Sequence, residues 1–318
     1  VDRKSLVRMS IALVENFIAS FETPPEELIL DFDATDDSVH GKQELAFFHG
    51  YYDNYCFLPL YVFCGDRLLV AYLRPSNIDA SKHTRAILEL LVKRFREVWP
   101  NVRIIVRGDS GFCRWQTMRW CERNGVGYIF GIARNPVLER LAGHLTENAK
   151  ELYEQTHEKQ RIFGEVVYAA QTWDRARHVI VKAEHTEKGA NPRFIVTNLP
   201  GEAQYLYDEI YCQRGETENR IKEQQMDLFA DRTSAHRFLA NQFRLLLASA
   251  AYVLVEYIRR VGLANTELAD AQCGTIRLKL FKLGARIVKS VRRIVVHIAS
   301  CYPYAQILRR VSERLVPC

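Results

Sequence analysis

Two short apolar runs that each end in acids limit this chain more than any other feature: "LILDFDATDD" (28–37) and "NVRIIVRGDS" (101–110). Each reads as a buried strand with polar residues at its carboxyl end. Between them, "FLPLYVFCGDRLLVAYLRP" (57–75) reads as a hairpin turning at Gly65-Asp66. The same interval holds an amphipathic helix (81–99) with Ile87, Leu88, Leu91, Val92 and Phe95 on one side. A second helix over about 113–123 and a strand, "VGYIFGIAR", follow. Strand, hairpin, helix, strand, helix, strand makes a mixed sheet flanked by helices, an α/β architecture.

The ends and the middle of the chain read differently. Residues 3–20 have apolar positions at helical spacing, and "FETPPEE" breaks that helix. Over 143–198, "GEVVYAAQTW", "RHVIVKAEHT" and "RFIVTNL" are strand-like and separated by polar joints, which predicts a small β-rich insertion. Helix resumes at about 203, a long apolar helix covers 235–261, and "TIRLKLFK", Gly284 and "RIVKSVRRIVVHI" read as a second hairpin. The predicted organisation is therefore a helical segment (1–27), a first core part (28–142), the insertion (143–198) and a second core part (199–318).

The balance of 48% hydrophobic and 26% charged residues is that of a folded soluble chain. Eight cysteines with no CxxC pair argue against a zinc module or a disulfide framework and favour a reducing, cytoplasmic compartment. The longest apolar stretch carries Arg244 and Glu256 and is too short to span a bilayer, so no membrane association is expected. The chain starts at Val1 without a signal peptide, so an upstream domain could precede it. Net charge is +6, unevenly spread. From Cys273 to Cys318 ten Lys and Arg face one acid, a net +9 that leaves −3 for the rest. A basic tail on a near-neutral body suits a polyanion, nucleic acid first.

Carboxylates at neighbouring strand ends converge outside the carboxyl edge of an α/β sheet. Asp31, Asp33 and Asp109 are placed there, and clustered hard oxygens suit Mg2+. A third acid comes from "YCQRGETENRIKEQQMD" (211–227), which has strong helix propensity. At about 100° per residue, Tyr211, Arg214, Glu218, Lys222 and Gln225 fall within about 80° of one another. Ile210, Thr217, Ile221 and Leu228 form an apolar stripe beside them. Gly215 costs a helix about 1 kcal/mol relative to Ala, which is easier to accept where another backbone comes close.

Tyr211-x2-Arg214-x3-Glu218 resembles the Tyr-x2-Arg-x3-Glu-x6-Lys signature of bacterial insertion-sequence DDE transposases of the IS-four-like group. "DFDATDD" resembles their first-Asp strand and "RGDSGF" their second-Asp motif. The resemblance implies an RNase H-like core interrupted by a β insertion before the third acid. It also implies a metal-binding catalytic triad of Asp33, Asp109 and Glu218, with Asp33 preferred to Asp31 because it directly precedes Ala34-Thr35. The implied cofactor is Mg2+, for which Mn2+ can substitute. The implied partner is double-stranded DNA, both terminal inverted repeats and target, engaged by a dimer or larger assembly in a bacterial cytoplasm. Tyr211 and Arg214 would contact phosphates. The signature's Lys falls on Gln225, so either the amide makes a weaker contact or Lys222 substitutes. Trp173 could stack on a flipped base, Arg292 and Arg293 would track the backbone, and His40, Lys42 and His49 could line the DNA channel.

Two other readings stand beside this one. A domesticated or decayed transposase would bind DNA without cutting it. A haloacid-dehalogenase-type phosphatase would use Asp31 as nucleophile, but it requires an acid shortly after Asp109, and 110–121 contains none.

Overall fold

A computed structural model describes residues 2–315; Val1, at the start of the first expected segment, and residues 316–318, at the end of the last and including Cys318, lie outside the described residues. Helix α1 (Arg3–Ala19) starts at Asp2, whose carboxylate accepts from the backbone N–H of Ser5 at 2.8 Å. Strand β1 (Glu27–Ala34) follows, then three short strands, β2 (Asp37–Ser38), β3 (Phe47–His49) and β4 (Asn54–Phe57), that form a small separate sheet. The expected hairpin is β5 (Leu60–Cys64) and β6 (Arg67–Tyr72), and Gly65 takes the positive φ of +56° at its turn. Helix α2 (Thr84–Val98), β7 (Arg103–Gly108), α3 (Trp115–Arg123) and β8 (Gly127–Ile132) complete the alternation read from sequence.

Strand β1 pairs in parallel with β7, and β7 in parallel with β8, while β5 is antiparallel to β1 and β6 to β5. The resulting order β6-β5-β1-β7-β8, with the hairpin on one flank and crossover helices on the other, is the RNase H-like arrangement.

The segment expected to be a small β-rich insertion (143–198) contains a helix as well as strands. After α4 (Pro136–Leu141), it opens with a helix, α5 (Gly143–Thr156), followed by β9 (Gln160–Tyr168), β10 (Arg177–Thr186), β11 (Gly189–Ala190) and β12 (Arg193–Thr197). Because β12 pairs antiparallel with the free edge of β8, these strands extend the core into one nine-stranded sheet. Joining the edge satisfies the backbone groups that β8 would otherwise expose.

Side chains along the strands alternate between two cores, as the period of two requires. Leu28, Leu30 and Phe32 of β1, and Ile104 and Val106 of β7, face α1, α2 and α3. Ile105, Ile129 and Ile195 face the other way, under Leu206 and Tyr207. Those two belong to a continuous helical run over 203–227: α6 (Ala203–Tyr205), a π turn (Leu206–Tyr211), a 3-10 turn (Cys212–Arg214), α7 (Gly215–Lys222) and a second π turn (Glu223–Asp227). Burying each such isoleucine or leucine contributes roughly 1.5–3 kcal/mol, which seats this run on the sheet face that Asp31, Asp33, Arg107 and Asp109 share.

Helix α8 (Phe238–Tyr257) continues through Gly262, close to the helix expected over 235–261, and by length and composition alone is long enough to cross a membrane, unlike the shorter apolar stretch read from sequence. Leu245, Tyr252 and Val255 are buried against β5 and β6, however, which makes it a core helix. "TIRLKLFK" is not the strand expected of it. It forms α9 (Cys273–Ile276) and a π turn (Arg277–Phe281), with Ile276 and Leu280 buried one turn apart. The hairpin lies wholly in the following segment, as β13 (Ala285–Lys289) and β14 (Ile294–Ile298), and α10 (Ala305–Leu315) packs Val311 back on Gly262.

Candidate active site

The register of β1 on β7 pairs Asp31 with Arg107 and Phe32 with Gly108, so Asp33 and Asp109 are the next residues of neighbouring parallel strands. The two aspartates of β1 have different surroundings. Asp31 is 1% exposed and is held by the Arg107 guanidinium through two parallel contacts, Nη2 to Oδ2 at 2.7 Å and Nε to Oδ1. Arg107 also donates to the carbonyl of Ile210 and thereby ties the strands to the helical run. Asp31 is thus committed to structure, a use that removes it as a nucleophile.

Asp33 is not so committed. Its Oδ1 accepts from the N–H of Ala34 at 2.8 Å, and its Oδ2 lies 3.5 Å from Arg214. Burial pushes its carboxyl up to about 7; Arg214 opposes that rise, and Asp109 and Glu218 add to it. Asp109 caps the turn that follows it, accepting from Gly111 N–H at 2.8 Å through Oδ1. The turn-capping use of an Asp after a strand is therefore real, and it occupies one oxygen among the described contacts.

Glu218 reaches the same place from α7. Its Oε1 accepts from Arg214 Nη2 at 2.7 Å, one helical turn away, so a single guanidinium stands between Asp33 and Glu218. Tyr211 lies a turn before Arg214. A Cβ on Gly131 would fall 2.5 Å from the Tyr211 hydroxyl and 3.1 Å from Ser110 N, which puts the phenol over the Asp109–Ser110 backbone and explains the glycine in β8. Burial raises the Tyr211 hydroxyl, so it stays a protonated donor. Asp33, Asp109, Tyr211, Arg214 and Glu218, all singled out from sequence, therefore gather at one sheet edge.

Other expected residues divide. Lys222 is exposed on the same helix. Gln225, re-phased by the second π turn, donates to the Asp36 carbonyl and to Asp37 Oδ1, both at 3.1 Å. It also lines a cleft of about 820 Å³ with Asp36, His40, Lys42, Arg232 and His236. His49 instead packs against Tyr52 with the rings tilted and their centroids 5.0 Å apart. Trp173 is half-buried against Tyr168 on the sheet face that the acids do not share. Arg292 and Arg293 occupy the tip of the exposed hairpin. No backbone closes on Gly215; the space around it is open, and it stands where the 3-10 turn passes into α7.

Sequence reasoning missed two supports. The Asp31–Arg107 pair had a signal, since each residue sits two places before the acid that ends its strand. Glu223 is 3% exposed and accepts from Arg220, Arg259 and the N–H of Cys273, fixing the far end of the helix. Nothing local in the sequence marks that network.

A family description fits this arrangement. The Transposase DDE domain group 1 matches residues 1–318. This chain belongs to the DDE transposase family. No curated protein matches it. Among solved structures it is similar to a piggyBac transposase in a synaptic complex with hairpin DNA, seen by cryo-EM, with a TM-score of 0.41 and 9% identity. The match covers 74% of this chain, which spans 48% of that transposase.

The family implies a divalent metal, and Asp33, Asp109 and Glu218 are hard oxygen donors of the type such an ion takes, with the Arg214 guanidinium as counter-charge to Asp33 and Glu218. In position the site stops short. Among the described residues no three His, Cys, Asp or Glu side chains are grouped closely enough to hold an ion, and Glu218 is paired with Arg214.

Proposed function

We propose that this chain is a DNA transposase that cuts phosphodiester bonds at the ends of an insertion sequence and joins the resulting 3′-hydroxyls to target DNA. The observation that carries this reading is the Arg214 guanidinium held between Asp33 and Glu218. A half-buried cation bridging two carboxylates marks a place where charge must be balanced, and phosphate substrates change that balance.

Asp33, Asp109 and Glu218 would hold Mg2+, or Mn2+ in its place, which when bound supplies activation of the attacking oxygen and stabilisation of the leaving one. The chain's own residues do the rest. Arg214 exchanges Glu218 for a substrate phosphate group, whose two oxygens suit the guanidinium fork, and so frees the third carboxylate as substrate arrives. The Tyr211 hydroxyl donates to a phosphate oxygen at the strand edge, while the Asp31–Arg107 pair keeps the helix in register through the Ile210 carbonyl. Lys222 adds a phosphate contact on the exposed side, and Gln225 orders the Asp36–Asp37 wall of the cleft instead of taking the role of the signature's Lys. Arg292 and Arg293 track the backbone away from the site. Joining two element ends requires two such sites, so the working complex is a dimer or larger on DNA.

The test is nicking of a labelled duplex carrying the element's terminal inverted repeats, with Mg2+ or Mn2+. Parent protein should cut, and Asp109→Asn and Glu218→Gln should lose cutting by at least about a hundredfold while still binding the duplex. Variants that cut as well as the parent refute the triad. A parent that binds but never cuts supports a domesticated DNA-binding protein instead.

A further inference from the structure

The hairpin β13–β14 carries its apolar residues where a folded domain does not need them. It is a two-stranded sheet unconnected to the nine-stranded one, and a ribbon of this kind is marginal in water on its own. Cross-strand pairing places Ala285 with Ile298, Ile287 with Val296 and Lys289 with Ile294 on one face. Ile287, Ile294 and Val296 there are 67%, 65% and 56% exposed. The tip is tied at both ends: Ser290 N–H donates to the Arg293 carbonyl at 2.9 Å, and Arg293 N–H donates to Ser290 Oγ at 3.2 Å. Between these anchors Val291 stands fully in solvent, flanked by Lys289, Arg292 and Arg293.

Charge identifies the occupant. No acid lies between Asp270 and Glu313, a stretch that contains the whole ribbon. A second copy of the hairpin would set cations against cations with no carboxylate to offset them. Duplex DNA supplies the opposite charge and an apolar stack for the tip, and a two-stranded ribbon fits a groove.

We propose that residues 285–298 form a DNA-bending arm: Val291 wedges between adjacent base pairs while Lys289, Arg292 and Arg293 hold the flanking phosphates. Apolar wedges between base steps kink duplexes in this way, and valine, stiff at χ1, loses little freedom on insertion. The apolar face beside it then lies along the sugar wall of the groove. This inference rests on the DNA reading above and adds a bend that cutting by the carboxylates does not itself require.

The test uses the full chain and a duplex of about 40 base pairs, short against the persistence length, with a fluorescent donor and acceptor at its ends. Parent protein should raise energy transfer. Val291→Ser should bind within about twofold and lose most of that rise, with unchanged thermal unfolding. The double variant Arg292→Ala, Arg293→Ala should lower the slope of log affinity against log salt by about two. Val291→Ser bending DNA as well as the parent, or an unchanged salt slope in the arginine variant, overturns the proposal. So does a pair of Ile287→Ser and Val296→Ser changes that turns an assembly into monomers and leaves bending intact, which would give the face to a second copy. Asp109→Asn separates the two readings, since it should stop nicking and keep the bend. A parent that bends DNA and cuts none loses the transposase reading alone.

Discussion

Replacing Asp33 with Asn should make the metal-free protein more stable at pH 8 while abolishing its chemistry. The Asp33 carboxyl is pushed from an ordinary 3.8 up to about 7, first by burial and then by the nearby Asp109 and Glu218 charges, against the pull of Arg214. At about 1.4 kcal/mol per tenfold change, ionising it in the folded state costs about 4 kcal/mol. Sharing of charge among three carboxylates and a 13% exposed side chain reduce this, so about 2–4 kcal/mol is expected. The sign follows from linkage: the folded protein binds the proton more tightly than the unfolded chain. Stability from that proton is complete below pH 3.8 and is lost as pH rises to about 7. Asn carries no such charge, so Asp33→Asn and parent should be equally stable near pH 3.8 and diverge up to about pH 7. In heat denaturation with EDTA at pH 8, the variant should melt about 3–6 °C higher. Equal melting at pH 8, or a difference that does not change with pH, would refute the assignment of Asp33 as a buried, functionally strained carboxylate.

Asp31→Asn should behave in the opposite way. It leaves Arg107 buried without its partner charge, and a loss of about 3–5 kcal/mol is expected in urea unfolding; a loss below about 1 kcal/mol would remove the ion pair from the account. Gln225→Ala should strip a donor from Asp37, which is buried and itself pushed up to about 7 mainly by that burial. A cost of about 1–3 kcal/mol at pH 8 is expected, smaller at pH 5 where the Asp37 carboxyl is protonated. Gly131→Ala should displace the Tyr211 hydroxyl and reduce DNA affinity or cutting about tenfold or more with a stable fold; activity equal to the parent's would show that Tyr211 is not used where it sits.

Much of this architecture was legible because it is local. The strand runs, the Gly65 turn and the helix of 211–227 follow from periodicity and turn chemistry, and the five site residues were each named from the chain. What escaped depends on distant partners. "TIRLKLFK" alternates like a strand, yet Ile276 and Leu280 also satisfy a helical stripe. Its helical form is decided by Glu223 and Asp227, which cap the N–H groups of Cys273 and Gly274 from about fifty residues away. Gly274 is needed there, since a Cβ would fall 2.5 Å from the Asp227 carboxylate. The strands of 160–197 were visible as strands, but nothing in them shows that β12 closes on β8. Asp33 is preferred to Asp31 from its place before Ala34-Thr35, but the pairing of Asp31 with Arg107, 76 positions away, was not visible. The Arg214 bridge needed a side-chain conformation that a helical wheel does not contain.

The central claim is that Asp33, Asp109 and Glu218 form one metal-binding site gated by Arg214. Electron paramagnetic resonance titration of Mn2+ tests it directly, with and without a duplex bearing the element's end. The account predicts about two bound ions per chain on DNA, weaker binding without DNA, and loss of that binding in Asp33→Asn and Asp109→Asn. Arg214→Ala should bind Mn2+ without DNA about as well as the parent does with it. Mn2+ binding indifferent to all of these changes would contradict the account.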